Sequence, residues 1–242
     1  MGELLEKEMK RVIITAVVLF ASPAWALTHM GSPTSNIKQG HLLLGFDYSN
    51  SETDIDVSGY GLNGTFEDVE SDLSMAKVGI GVFDRIELFA RFGSSEIEDL
   101  ENEFAWGLGT KATLGRQDAL SWGALFQLTG LTAKDTENLF GFLLNGEMNV
   151  YEFQIAFGPR YDIGGLYVYG GPFFHFISGN IDLEYLGYTA SFDIKQESEF
   201  GGYIGLGWQI AKSSSLSVEY QSTGNAEAVG VGLVHRFGGS AE

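Results

Sequence analysis

From about residue 40 to residue 237 this chain places apolar or aromatic side chains on every second position, and no stretch sustains a 3.6-residue period. The last segment shows the pattern best. Val229, Val231, Leu233, His235 and Phe237 alternate with Gly230, Gly232, Val234 and Arg236, and the run stops on an aromatic. A period of two is the signature of strands with unlike faces. The mean hydropathy is near zero because those two faces cancel in any window average.

Reading the alternation along the chain gives ten segments, at about 40–49, 74–83, 86–93, 104–115, 119–131, 149–161, 166–177, 199–210, 216–221 and 229–237. The connections near 84, 117, 163 and 213 are short. Those at 50–73, 94–103, 132–148, 178–198 and 222–227 are longer and are expected to be loops. Short turns on one side and long connections on the other predict an all-β fold, an antiparallel up-and-down transmembrane β-barrel. Ten strands fit best. Eight or twelve stay open, because the seventh and ninth segments are the least regular.

The N-terminus reads as a targeting segment rather than structure. Met9, Lys10 and Arg11 form a basic start, residues 12–21 an apolar run, and Ala24-Trp25-Ala26 a small-x-small cleavage site. This is the layout of a secretory signal peptide, and the run is too short to anchor in a bilayer. Met9 is a second possible start. The expected organisation is a signal peptide over 1–26, a loose periplasmic lead-in over 27–38, a barrel over 39–237 and a short tail over 238–242. With no cysteine, disulfides and lipid-modified Cys are excluded.

A soluble barrel alternates too, so the charges and aromatics must decide between water and lipid. The non-apolar faces carry Lys77, Arg91, Lys111, Arg160 and Arg236 beside Asp47, Glu87, Glu152, Glu199 and Glu219. A balanced set is expected to form a paired network lining a lumen, since ions withdrawn from water must pair. Tyr48, Trp106 and Tyr151 fall near one end of the strands; Trp122, Tyr161, Trp208 and Phe237 fall near the other. Two aromatic belts mark the two interfaces of a bilayer.

The stretch Val82-Phe-Asp84-Arg85-Ile-Glu87-Leu88-Phe89-Ala90-Arg91-Phe92-Gly93 resembles the strand–turn–strand of small bacterial outer-membrane β-barrel proteins, of the porin-like and OmpA-like kind. The segment ending at Phe237 resembles the insertion signal that such proteins present to the barrel-assembly machinery, although residues 238–242 follow it. The resemblance implies the bacterial outer membrane as location, and lipid and lipopolysaccharide as surroundings. It carries no activity.

The formal net charge of −18 is concentrated on the long connections, at Glu52, Asp54, Asp56, Glu67, Asp68, Glu70 and Asp72, then at Glu96, Glu98, Asp99, Glu101 and Glu103. Such a surface repels nucleic acid. Clustered carboxylates offer divalent cations a place beside lipopolysaccharide phosphates. Without fixed calcium-loop spacing, the favoured reading is a solvated acidic surface, with no resident metal or cofactor.

Catalytic signals are sparse. His175 and Ser178 are faintly similar to the His and Ser of outer-membrane lipid A deacylases, but their spacing of three puts them on opposite strand faces. Asp182 and Glu184 lie near His175, as paired acids do in omptin-type proteases, with nothing to fix their geometry. Two functions therefore stand. One is a narrow or plugged barrel, filled by Phe89, Leu125, Gln127 and Tyr203, with a structural, surface-interaction or weak pore role. The other is an enzyme acting on lipid or peptide at the outer rim.

Overall fold

The computed structural model describes residues 27–59, 62–97, 103–139, 142–185 and 188–238. The expected signal peptide, most of the tail and residues 98–102 of the second acidic connection lie outside them. Among the described residues there are ten strands and no helix. They are β1 (Leu42–Gly59), β2 (Leu62–Phe83), β3 (Ile86–Ile97), β4 (Glu103–Gln117), β5 (Leu120–Leu139), β6 (Phe142–Ile163), β7 (Leu166–Tyr185), β8 (Tyr188–Ala211), β9 (Ser214–Ser222) and β10 (Ala226–Phe237). Each pairs antiparallel with its neighbour in sequence, and β1 closes the barrel on β10.

The two-residue turns at 84–85, 118–119, 164–165 and 212–213 share one end of the barrel. Asp118, Gly164 and Gly165 take φ of 50°, 58° and 99° there, the left-handed backbone that twisted two-residue hairpins need.

The outer face carries the apolar residues. On β6, Tyr151, Phe153, Ile155, Phe157, Tyr161 and Ile163 are exposed, and on β1 so are Leu42, Leu44 and Phe46. The same faces then turn polar within two positions, at Asn149 and Glu147 on β6 and at Asn50 and Glu52 on β1. An apolar surface this broad, with so abrupt an edge, is what a bilayer covers. Trp106 meets Tyr151 edge-to-face at 6.3 Å near that edge. Near the short-turn end Trp122 stacks on Phe157 at 5.5 Å. Tyr48 and Trp208 are half-buried on this outer surface, and Tyr161 and Phe237 are exposed on it.

Above the edge, the structure departs from expectation. The connections read as long loops are largely strand: β5 and β6 run on to Leu139 and Phe142, and β7 and β8 to Tyr185 and Tyr188. The apolar phase has reversed there. Val150, Ile177, Ile181, Leu183, Phe192 and Ile194 point inward and are buried, while Asp182, Glu184 and Asp193 point outward. Strands are apolar-out against lipid and apolar-in against water, so alternation of one fixed phase ends where the membrane ends. The β9–β10 hairpin stops short of these extensions. Above it β1 pairs directly with β8, Asp56 opposite Lys195 and Ser58 opposite Asp193.

Candidate functional site: a plugged lumen

Residues 27–38 are not a loose lead-in. Leu27, Thr28, His29 and Met30 are buried inside the barrel, and the chain descends from them through Pro33 and Thr34 towards the short-turn end, where Gly40 N donates to Gly81 O at 2.8 Å before β1 begins. Leu27 and Met30 join Leu125, Ala156, Tyr169, Phe173 and Tyr203 in the apolar part of the interior.

Wall side chains hold the segment by its backbone. Met30 N donates to Glu219 Oε1 at 2.9 Å, and Lys111 Nζ donates to Met30 O at 2.8 Å. His29 N donates to Ser49 Oγ at 2.7 Å, and Thr28 N to Glu152 Oε1 at 3.2 Å. The Thr28 hydroxyl also donates to Glu152, and Thr28 O accepts from Gln127 at 3.3 Å and Gln221 at 3.0 Å. Lower down, Thr113 Oγ1 donates to Ser35 O at 2.9 Å. A buried backbone without such partners would be strongly disfavoured, so this polar lining is what permits an irregular segment inside the barrel.

The lumen-facing charges therefore meet the plug more than one another. Asp47, Lys77, Glu87, Arg91, Lys111, Glu152, Arg160 and Glu219 are all buried, but among the ten expected residues the described ion pairs contain only Arg91 with Asp47, Nε to Oδ2 at 3.4 Å. Lys77 Nζ sits 4.3 Å above the Phe89 ring centre. Arg160 binds Asp162, Nη2 to Oδ1 at 2.6 Å. Glu199 does not join: its Oε2 accepts the Gly224 and Asn225 amides of the β9–β10 turn at 2.9 and 3.3 Å. Among the described residues Arg236 donates to Ser215 Oγ, at 3.4 Å, and makes no close ion pair.

A chain of amides, not anticipated from the sequence, crosses the interior. Arg91 donates to Gln127, Gln127 to Gln154, Gln154 to Gln221 at 3.2 Å, and Gln221 to Glu219 at 2.9 Å. Gln127 and Gln154 are direct partners in the β5–β6 register, so the signal existed, but only once strands were aligned. The glycines of β10 have a related role. A Cβ at Gly230 would stand 2.7 Å from the His29 ring, and one at Gly232 2.5 Å. They vacate the space that the plug histidine fills.

No protein-family pattern and no curated protein matches the sequence. Solved structures do. The outer membrane protease OmpT from Escherichia coli is similar over 84% of this chain and 97% of its own, with TM-score 0.50 and 10% identity. The translocator domain of the autotransporter NalP from Neisseria meningitidis follows with TM-score 0.45 and 10% identity, over 84% and 90% of the two chains. Ail, the attachment invasion locus protein of Yersinia pestis, gives 0.41 and 13%, over 82% and 99%. At such identities the likeness speaks for the fold alone. The chain has the fold of an outer-membrane β-barrel protein.

In an outer-membrane barrel the short turns face the periplasm and the long hairpins face outward. His175 then sits mid-wall in the lumen, not at the outer rim: it is fully buried, with Nε2 3.1 Å from Glu152 Oε1. Its partner is neither Asp182 nor Glu184, and Ser178 lies on the lipid side, opposite Tyr151. Phe89, Leu125, Gln127 and Tyr203 fill the interior. On the outer hairpins Asp72 accepts from Tyr48 at 2.6 Å and Asn50 at 3.0 Å, and Lys134 bridges Glu147 at 3.0 Å. Among the described residues no group of three or more His, Asp or Glu side chains is arranged to hold a metal ion.

Proposed function

We propose that this protein is a closed barrel of the bacterial outer membrane that holds acidic β-hairpins above the cell surface as an interaction platform. The observation that carries the reading is the seating of residues 27–35 in the lumen, with wall side chains on their backbone groups. The inward-facing Ile181, Phe192 and Ile194 add a second, apolar closure above the membrane. Lipid and lipopolysaccharide would cover the apolar band. β10, ending at Phe237, would present the insertion signal to the assembly machinery. The acidic hairpins would take cationic partners, divalent ions included, and repel nucleic acid.

A second reading, a small-solute pore gated by the plug, is favoured by the purely polar character of most plug anchors, which water can replace. Conductance in a planar bilayer separates the two. The intact protein is expected to be silent, and discrete openings from it would overturn the closed-platform reading. With residues 27–35 deleted, sustained openings would identify the plug as a gate. Silence from a folded deletion variant would show that the outer apolar packing closes the barrel alone.

A further inference from the structure

The charges of this chain are sorted across the membrane. Among the Lys and Arg residues beyond residue 26, only Lys134 and Lys195 lie on the outward hairpins; the others line the lumen or stand at the periplasmic mouth. Below the plug the mouth widens into a cavity of about 550 Å³. Five cationic side chains line it, from Lys38, Arg116, Arg160, Lys212 and Arg236, against the carboxylates of Asp84, Asp118 and Asp162. A net positive cavity in a chain of formal charge −18 is not what chance placement would give.

Arg160 already holds Asp162 and lies flat on the Tyr167 ring, 3.7 Å from its centre. Arg236 is different. Among the described residues no carboxylate lies within ion-pair distance of it; Glu87 acts on it from farther off, and its guanidinium donates to Ser215 Oγ at 3.4 Å. Arg116 donates to the neutral Asn36 of the plug at 3.1 Å. Two guanidinium groups outside any close ion pair among the described residues therefore line one concave site, with a third stacked on an aromatic face. A guanidinium fork matches the planar oxygens of carboxylate and phosphate groups, and a cavity of this size holds a small organic molecule.

We propose that the periplasmic mouth is a binding site for a small organic anion carrying a carboxylate or phosphate, with Arg236 as its main anchor. The anion is a free solute rather than a lipid headgroup, because Arg160, Tyr167 and Ser215 face the interior while Leu42, Tyr161 and Phe237 face the lipid. Since Asn36 and Lys38 contribute to the wall, the occupied site also braces the lower end of the plug. The proposal is independent of whether the lumen conducts.

The test is equilibrium dialysis of the refolded protein, in a zwitterionic detergent at constant ionic strength, against labelled citrate and against inorganic phosphate. Saturable one-to-one binding of at least one probe is expected. Arg236→Gln should weaken it on the order of tenfold, the usual effect of losing one charge-assisted pair. Lys212→Gln, in an exposed turn where folding is not at stake, should weaken it by a smaller factor, and Lys195→Gln on the outer hairpin should leave it unchanged. Absence of saturable binding by either probe would overturn the proposal. So would parental affinity in a folded Arg236→Gln protein and in Lys212→Gln, or binding seen only with phosphatidylglycerol.

Discussion

Glu152 faces two donors of the plug, the Thr28 amide and hydroxyl, and the His175 ring beside them. Replacing it by alanine leaves the buried Thr28 amide without its acceptor, at a cost of about 1–3 kcal/mol, while the hydroxyl keeps Thr129 Oγ1 at 3.2 Å. The expected result of Glu152→Ala is faster amide exchange at Thr28, His29 and Met30 with little change in the wall strands, read by hydrogen-exchange mass spectrometry. Glu147 offers a check in the solvated part of the barrel. Hydrogen bonds from Lys134 first, then Asn149, hold its carboxyl below the ordinary glutamate range. A carboxyl depressed on folding contributes stability above its unfolded pKa, and that contribution is lost as pH falls through the folded value. Lys134→Ala should move the Glu147 titration upward in a carboxyl NMR experiment. An unmoved titration would mean the bridge is not formed in solution.

The plug and the strand it faces form a matched pair. Gly230 and Gly232 leave room for His29, so Gly232→Val should expel the plug while the β1–β10 ladder survives. Labelling of a cysteine introduced by Met30→Cys would report this: slow in the parent barrel, fast beside Gly232→Val. Equal rates would mean the segment already exchanges freely. The strands themselves were legible because lipid imposes apolar residues on every second outward position, as at Leu42, Leu44 and Phe46. The plug was not legible, because an irregular segment has no period of its own and is recognised only by what surrounds it. The strand extensions were hidden for a different reason: Ile181 and Phe192 obey the alternation with its phase inverted. Glu199 was misread because the β9–β10 turn claims it, which only the short length of β9 reveals.

As a whole the molecule joins two solvents' rules in one wall, apolar-out below Tyr151 and apolar-in above it. The two zones should therefore answer one substitution oppositely. Ile155→Arg, in the middle of the apolar band on β6, is expected to cost about 2–4 kcal/mol of folding stability in bilayers. Glu184→Arg, outward-facing on the β7 extension, should change it little. Urea unfolding in lipid vesicles measures both, and similar losses at the two sites would place the membrane edge elsewhere. Phe89, Leu125, Gln127 and Tyr203 are buried in the interior as their strand positions implied, whereas residues 27–30, expected outside the barrel, are buried within it.

The plug anchors join residues far apart along the chain: Thr28 to Glu152, Met30 to Glu219, and Thr28 to Gln221 across 193 positions. Entropy makes such contacts late ones. The seat of residues 27–30 is thus completed only when the ninth strand arrives, which is also when the wall is about to close on β1. A chain stalled before that hairpin still offers Ser49, Lys111 and Glu152 to the plug, but it lacks Glu219, the acceptor of the Met30 amide, and Gln221. Protection of the Met30 amide then works as a timestamp, recording the moment at which the barrel finished assembling.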